Sequence, residues 1–294
     1  MIPKNANQIN LTTTESPEII LNRKCLRGAA TDGRVRSLDG EGTTVEPTSA
    51  IFPILRQTKE GYYYLVGTGF FITNNGIFVT AKHVLMDGFD ANSKQTDNMM
   101  IVHFANGTYY KRQILRFTSH SVADICVGIV APMAHTITGE SLKNKMLSLV
   151  KNVPSAGTQL CTYAYPQTVI KHGVNQELHF YANYFEGIVQ EHYPSGRDNV
   201  MLPGPCVQTS MYIHGGASGG PVFDCEGKVF AINSTGYEDD DLSFVTPIHT
   251  IVELHLKGVK INNNESNEFL SVNDLIKAGF IDYDTRLKDS YNQE

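Results

Sequence analysis

The apolar positions of this chain come in short bursts separated by turn residues, rather than in the 3.6-residue recurrence of an amphipathic helix. From Ile51 onward, Tyr62 to Val66, Phe70 to Thr73, Phe78 to Thr80 and Met100 to Phe104 are runs of aromatic and β-branched residues, punctuated by Asn74-Asn75-Gly76 and Asn106-Gly107. Such runs fit a pleated, half-buried surface, and Asn-Gly pairs suit tight hairpin turns. A second strand-rich block runs from about Thr158 to Thr246. Between the blocks, Met133 to Asn152 predicts a helical or irregular connection, with Leu142, Met146, Leu149 and Val150 spaced for one face. Beyond the second block, Thr246-Pro247 followed by Ile248, Ile251, Val252, Leu254 and Leu256, with Gly258 at the end, predicts a capped helix. Ser271-Val272-Asn273-Asp274 predicts a capping box that opens a short helix running to Gly279.

These elements divide the chain into an N-terminal extension at 1–48, a folded unit at 49–260 and a polar linker with a short helical tail at 261–294. Within the folded unit the two strand-rich halves occupy about 49–132 and 155–248. The extension is polar and weakly periodic, which leaves three readings open: a flexible arm, a strand draped over the folded unit, or a removable segment.

Composition narrows the function classes. Fourteen Tyr, fourteen Phe and 25 Gly in 294 residues, with 41% apolar content, fit a β-rich globular protein. A net charge of −6 argues against binding nucleic acid, because phosphate contacts need a cationic surface. Met1 to Leu21 holds one lysine and no apolar core of a secretory leader, and nothing later is long enough to cross a bilayer, so a cytoplasmic protein with no membrane association is expected. The five cysteines, Cys25, Cys126, Cys161, Cys206 and Cys225, are odd in number, form no C-x-x-C pair and lie mostly in apolar runs. Buried free thiols are the expectation, and no metal or cofactor is called for.

The chemistry is concentrated in Gly215-Gly216-Ala217-Ser218-Gly219-Gly220-Pro221. A serine hydroxyl becomes a nucleophile only with a base to take its proton and donors to hold the oxyanion that forms. The amides of Gly216 and Ser218 are the candidate donors, since a glycine can take the angles that aim both at one point. His83, after the β-rich run Phe78 to Thr80, is the candidate base. Asp124, entering the apolar run Ile125-Cys126-Val127, is the candidate carboxylate that orients it. Asp87, Asp90 and Asp97 compete for that role, but they lie in a polar, loop-like segment.

The order His83, Asp124, Ser218, with gaps of 41 and 94 residues, resembles the chymotrypsin-like (trypsin-like) serine peptidases. The motif style is similar to the bacterial HtrA-like branch, with Gly67-Thr68-Gly69-Phe70-Phe71-Ile72 as its opening strand and Ser243-Phe244-Val245-Thr246-Pro247-Ile248 as its closing one. The resemblance spans about Ile51 to Leu256. It implies an all-β fold of two antiparallel six-stranded β-barrels with a C-terminal helix, and a site in the cleft between them.

The activity it implies is that of a serine endopeptidase acting on a protein or peptide through an acyl-enzyme. It further implies that Ser234 bonds the catalytic aspartate and that Ser234, Thr235 and Gly236 hold substrate backbone. Tyr212 stands where trypsin-like enzymes carry the pocket-floor carboxylate, so a preference for basic residues is not expected from that floor. Tyr212 and Ser243 would suit an apolar or small side chain, whereas His214 or Asn233 would meet a polar one. The acidic run Glu238-Asp239-Asp240-Asp241 offers a separate route to basic selectivity by attracting cations. Ala217 replaces the aspartate that pairs with a new N-terminus in secreted zymogens, so control would fall to an arm, the tail, a regulatory partner or an oligomer. Two rivals remain: a non-catalytic peptide-binding module on the same fold, and a protease dedicated to one processing site.

Overall fold

The computed structural model describes residues 49–90, 95–105, 108–133, 143–166, 169–171, 177–237, 242–259, 261 and 269–285, together with three two-residue strands nearer the N-terminus. Barrel one is built from β1 (Ile51–Gln57), β2 (Tyr63–Phe71), β3 (Ile77–Thr80), β4 (Asn98–Ala105), β5 (Thr108–Ser119) and β6 (Cys126–Val130). Its strands close in the order β1-β2-β3-β6-β5-β4, every pair antiparallel. The two aromatic runs expected at Tyr62 to Val66 and Phe70 to Thr73 belong to one long strand, because Gly67-Thr68-Gly69 stays extended between them. Aromatic side chains from three successive strands meet inside: Phe52 packs on Phe71 at 4.5 Å and on Phe78 at 5.7 Å between ring centroids.

Barrel two consists of β7 (Gln159–Ala164), β8 (Tyr181–Tyr193), β9 (Cys206–Thr209), β10 (Pro221–Phe223), β11 (Val229–Tyr237) and β12 (Leu242–Pro247). The ladder runs β10-β7-β8-β9-β12-β11, and the pairing of β10 with β11 closes it. Leu160, Val189, Val207, Val222, Phe230 and Val245 fill its interior. The fold is thus the all-β, two-barrel architecture, with few helices.

Three local expectations need correction or placement. The connection between barrels contains two short strands, Met146–Leu147 and Leu149–Val150, in place of a helical face. Leu149 pairs with Val229 on one side and Tyr283 on the other, and Met146 with Leu38, so strand partners far away in sequence override the local spacing. Leu142 lies outside the described residues. The helix expected after Thr246 is a single 3-10 turn, Ile248–Ile251, and the chain then extends so that His255–Lys257 pairs with Phe269–Ser271. The C-terminal helix is instead α2 (Val272–Lys277), and its capping box forms as expected: Ser271 Oγ accepts from the Asp274 amide and the Asp274 carboxylate accepts from the Ser271 amide. After it, Ser148 Oγ donates to Asp282 and Lys228 pairs with Asp284, fastening Tyr283–Asp284 to barrel two.

Among the described cysteines, Cys126, Cys161 and Cys206 are buried, while Cys225 is exposed. Barrel one also buries a polar cluster. Arg112 donates to Ala131 O (2.9 Å), to Asn144 Oδ1 (2.6 Å) and to His103 Nδ1 (3.3 Å), and lies over the Phe71 ring. Because a guanidinium has no acceptor, His103 Nδ1 must be unprotonated, and Nε2–H donates to Ser49 O at 3.2 Å. Burial, reinforced by the Arg112 charge, pushes the His103 pKa down to about 3. Unfolded His103 gains a proton as pH falls below about 6.5, whereas the folded form resists until about 3. Folding stability is therefore expected to fall by up to about 1.4 kcal/mol per pH unit through that window as acid is added. Urea midpoints measured from pH 7 to 4 should fall more steeply for the native chain than for His103→Gln, and parallel slopes would sink this account.

Candidate active site

His83 lies on α1 (Lys82–Met86), a single helical turn that follows β3 and buries Val84 and Leu85 against barrel one. Asp124 closes the loop between β5 and β6. Two side chains hold that loop: His120 Nδ1 accepts from the amides of Val122 (3.1 Å) and Ala123 (2.8 Å), while Lys82 Nζ donates to His120 O (3.1 Å). Asp124 then reaches His83 twice, Oδ1 accepting from the His83 amide at 3.0 Å and Oδ2 from the ring Nδ1 at 2.8 Å. Two contacts fix both the position and the tautomer of the imidazole, leaving Nε2 as the free acceptor. The ring is half exposed to solvent and the carboxylate is better covered.

Barrel two completes the constellation. Ser234 Oγ, on β11, donates to Asp124 Oδ2 at 2.6 Å, so the carboxylate is bonded from both barrels. Asp87 and Asp97 are engaged elsewhere, as ion-pair partners of Arg56 at 3.3 and 3.6 Å. Beside Asp124, burial pushes the Cys126 thiol well above its ordinary pKa, with the Asp124 charge adding to the effect. That thiol is therefore not a competing nucleophile.

Ser218 sits in a loop in which three amides are engaged. The amide of Ala217 donates to His214 O (3.1 Å), that of Gly219 to Asn233 O (2.7 Å) and that of Gly220 to Ala217 O (2.9 Å). The amides of Gly216 and Ser218 have no partner among the described residues. Gly216 has φ +89° in the turn from His214 to Ala217, and a side chain there would meet Leu65 Cδ2 at 2.7 Å and Tyr165 O at 3.0 Å. Only glycine permits this conformation, which leaves the two unused amides on either side of Ala217.

Thr68 of β2 braces the loop across the barrel junction: its Oγ1 donates to Gly216 O (2.9 Å) and its amide to Ser218 O (2.8 Å). In the sequence Thr68 stands only as part of an opening strand. The Gly-Thr-Gly pattern was the available signal, but its partner lies 148 residues away. Ser218 Oγ donates to Ser234 O at 3.4 Å and makes no hydrogen bond to His83 in this rotamer.

A family model described as the trypsin-like peptidase domain matches residues 67–232, more than half of the chain. The chain belongs to that family. No curated protein matches it. Among solved structures it is similar to Deg5, at 20% identity over 70% of this chain and 86% of that one, with a TM-score of 0.48. It is also similar to the active form of the Rv3671c protease from M. tuberculosis, at 15% identity over 70% and 78%, with a TM-score of 0.48.

The remaining residues expected of a trypsin-like peptidase site lie on β11, on β12 and in the segment before Ser218. Thr235 and Gly236 continue β11 past Ser234 and pair with Phe244 and Ser243 of β12. Tyr212 is turned to the surface, edge-on to His214 at 4.4 Å between ring centroids, rather than forming a buried floor. Asn233 is buried, with Nδ2 donating to Thr162 Oγ1 at 2.7 Å. The acidic run 238–241 lies outside the described residues.

Proposed function

We propose that this chain is a serine endopeptidase in which Ser218 attacks the peptide carbonyl. His83 Nε2 takes the hydroxyl proton as the Ser218 Oγ–carbon bond forms, and Asp124 stabilises the resulting imidazolium. The oxyanion lies between the amides of Gly216 and Ser218. Breakage of the C–N bond transfers that proton to the leaving amine and leaves an acyl-enzyme. Water then adds to the acyl carbon through the same base, releasing the acid and restoring Ser218. The substrate is an extended protein or peptide segment that lies against Ser234, Thr235 and Gly236 as an added strand. Control by a partner or a terminal segment and a cytoplasmic setting complete the reading.

The observation that carries it is the continuous chain Ser234–Asp124–His83, assembled from two barrels, together with a serine whose own amide and that of Gly216 are both unused. A purely structural role would not require those amides to go unpaired. The contact of Ser218 Oγ with Ser234 O is compatible with a resting enzyme, since one χ1 rotation redirects a serine hydroxyl and catalytic hydrogen bonds often tighten only with substrate.

The test is intact mass after exposure to a fluorophosphonate. One adduct on the native chain, absent from Ser218→Ala and His83→Ala, is the expected result. A native chain that stays unlabelled under conditions where its fold is intact supports the peptide-binding module instead.

A further inference from the structure

Resting on that reading, we infer that Thr68 is a positioning residue for the oxyanion site. Its side-chain hydroxyl, locked in one direction by the Tyr165 amide, holds Gly216 so that the Gly216 amide stays turned toward the substrate carbonyl.

A threonine hydroxyl carries one proton and two lone pairs, and rotation about its C–O bond leaves the direction of the proton open. At Thr68 that choice is closed. The side chain is fully buried, and Oγ1 accepts from the Tyr165 amide at 3.1 Å, so a lone pair faces Tyr165 and the proton is left for Gly216 O at 2.9 Å. Branching at Cβ restricts χ1 as well, which leaves the side chain little freedom to drop either partner. The backbone of the same residue is engaged separately: its amide donates to Ser218 O at 2.8 Å and its carbonyl accepts from Thr80 Oγ1 at 2.7 Å. Side chain and main chain of Thr68 thus serve different residues of the nucleophile loop, the hydroxyl Gly216 and the amide Ser218.

The two proposed oxyanion donors are not held equally. The Ser218 amide belongs to a peptide whose carbonyl, Ala217 O, accepts from the Gly220 amide at 2.9 Å and from Asn233 Nδ2 at 3.3 Å. The Gly216 amide belongs to the peptide that joins Gly215 to Gly216, and neither the Gly215 carbonyl nor the Gly216 amide has a partner among the described residues. Both residues of that peptide are glycines, and a Cβ added at Gly215 would meet nothing within 4 Å, so on that side no side chain and no neighbour restrains its rotation. Its firm end is Gly216. The next peptide is gripped at both poles, Gly216 O by the Thr68 hydroxyl and the Ala217 amide by His214 O at 3.1 Å. Without the hydroxyl one grip is lost, and two consecutive glycines can turn the donor away. A donor already in place stabilises a developing oxyanion more than one that must first be reoriented.

The experiment compares Thr68→Val, which keeps the shape and the backbone bonds but lacks the hydroxyl, with Thr68→Ser, which keeps the hydroxyl. Should valine not fold, Thr68→Ala gives the same comparison without a methyl against Gly216 O. Each protein is titrated with an acetylated alanyl peptide ending either in a trifluoromethyl ketone or in the methyl ketone. At the first, Ser218 Oγ adds to the carbonyl carbon, the hydroxyl proton passes to His83 and the carbonyl oxygen becomes the oxyanion; the second binds without addition. Thr68→Val should weaken the trifluoromethyl ketone by about 30-fold, short of the hundredfold or more that loss of a whole donor costs, and leave the methyl ketone within about twofold. On a peptide ester the same variant should lower kcat by a similar factor with KM unchanged, as expected of an interaction that matters in the transition state. Thr68→Ser should keep both quantities within about threefold of native, because the hydroxyl and its two partners remain. Equal weakening of both ketones, an unchanged kcat, or a serine variant no better than the valine one overturns the assignment. A native chain that forms no trifluoromethyl ketone adduct and takes no fluorophosphonate label is a different result: it removes the hydrolase reading, and the positioning role with it.

Discussion

Replacing Ser218 or His83 by alanine should lower kcat/KM by about a million-fold, and replacing both should lower it little further. The proposed nucleophile and base act as one device: without His83 the hydroxyl keeps its proton, and without Ser218 the imidazole has nothing to activate. Asp124→Asn should cost about ten-thousand-fold, because an amide that donates to His83 Nδ1 holds the wrong tautomer. Here the amide would also face Ser234 Oγ and the His83 backbone amide, both donors to the native carboxylate. Initial rates on one peptide ester, with titration of active sites, give these ratios. Losses that multiply in the double variant would mean that the two side chains work independently, and the triad account would fail.

The second large effect is structural. Gly219→Ala should destabilise the fold by more than about 4 kcal/mol, which lowers the thermal midpoint by roughly 10 °C in a chain of this size. Gly219 has φ +82°, and a Cβ there would lie 2.0 Å from Thr80 Oγ1, 2.4 Å from Thr68 O and 2.7 Å from the Ala81 amide nitrogen. Two of those atoms are backbone of barrel one. The third, Thr80 Oγ1, already donates to Thr68 O at 2.7 Å, so none can yield cheaply. Gly215→Ala is the control in the same loop: nothing lies within 4 Å of its added Cβ, and its midpoint should match the native one. A Gly219→Ala protein that melts with the native chain would show that barrel one does not clamp the nucleophile loop.

Much of this architecture was legible in the residues. The strand runs of barrel one could be read because aromatic and β-branched residues recur at strand period between turn residues, and the Ser271–Asp274 cap because a capping box is local. His83, Asp124 and Ser218 stood out through the needs of one chemistry, and the fold brings the first two within bonding distance. The segment after Thr246 misled because its cap signals and apolar spacing describe a helix in isolation. Pairing of His255–Lys257 with Phe269–Ser271 decided the outcome, and no local window contains both strands. Met146 to Val150 failed for the same reason. Thr68 is not legible in the sequence because its importance lies in direction: its hydroxyl points across the junction to Gly216 O.

The residues of the proposed triad come from opposite sides of a seam. His83 and Asp124 belong to barrel one, Ser218 and Ser234 to barrel two, and Thr68 is stitched from the first to the nucleophile loop of the second. Neither barrel owns the reaction. In the peptidase proposed here, a force that opens the seam by a fraction of an ångström, whether heat or the grip of a bound protein, disarms the site before a single strand melts. Loss of turnover is therefore an earlier alarm than loss of β structure.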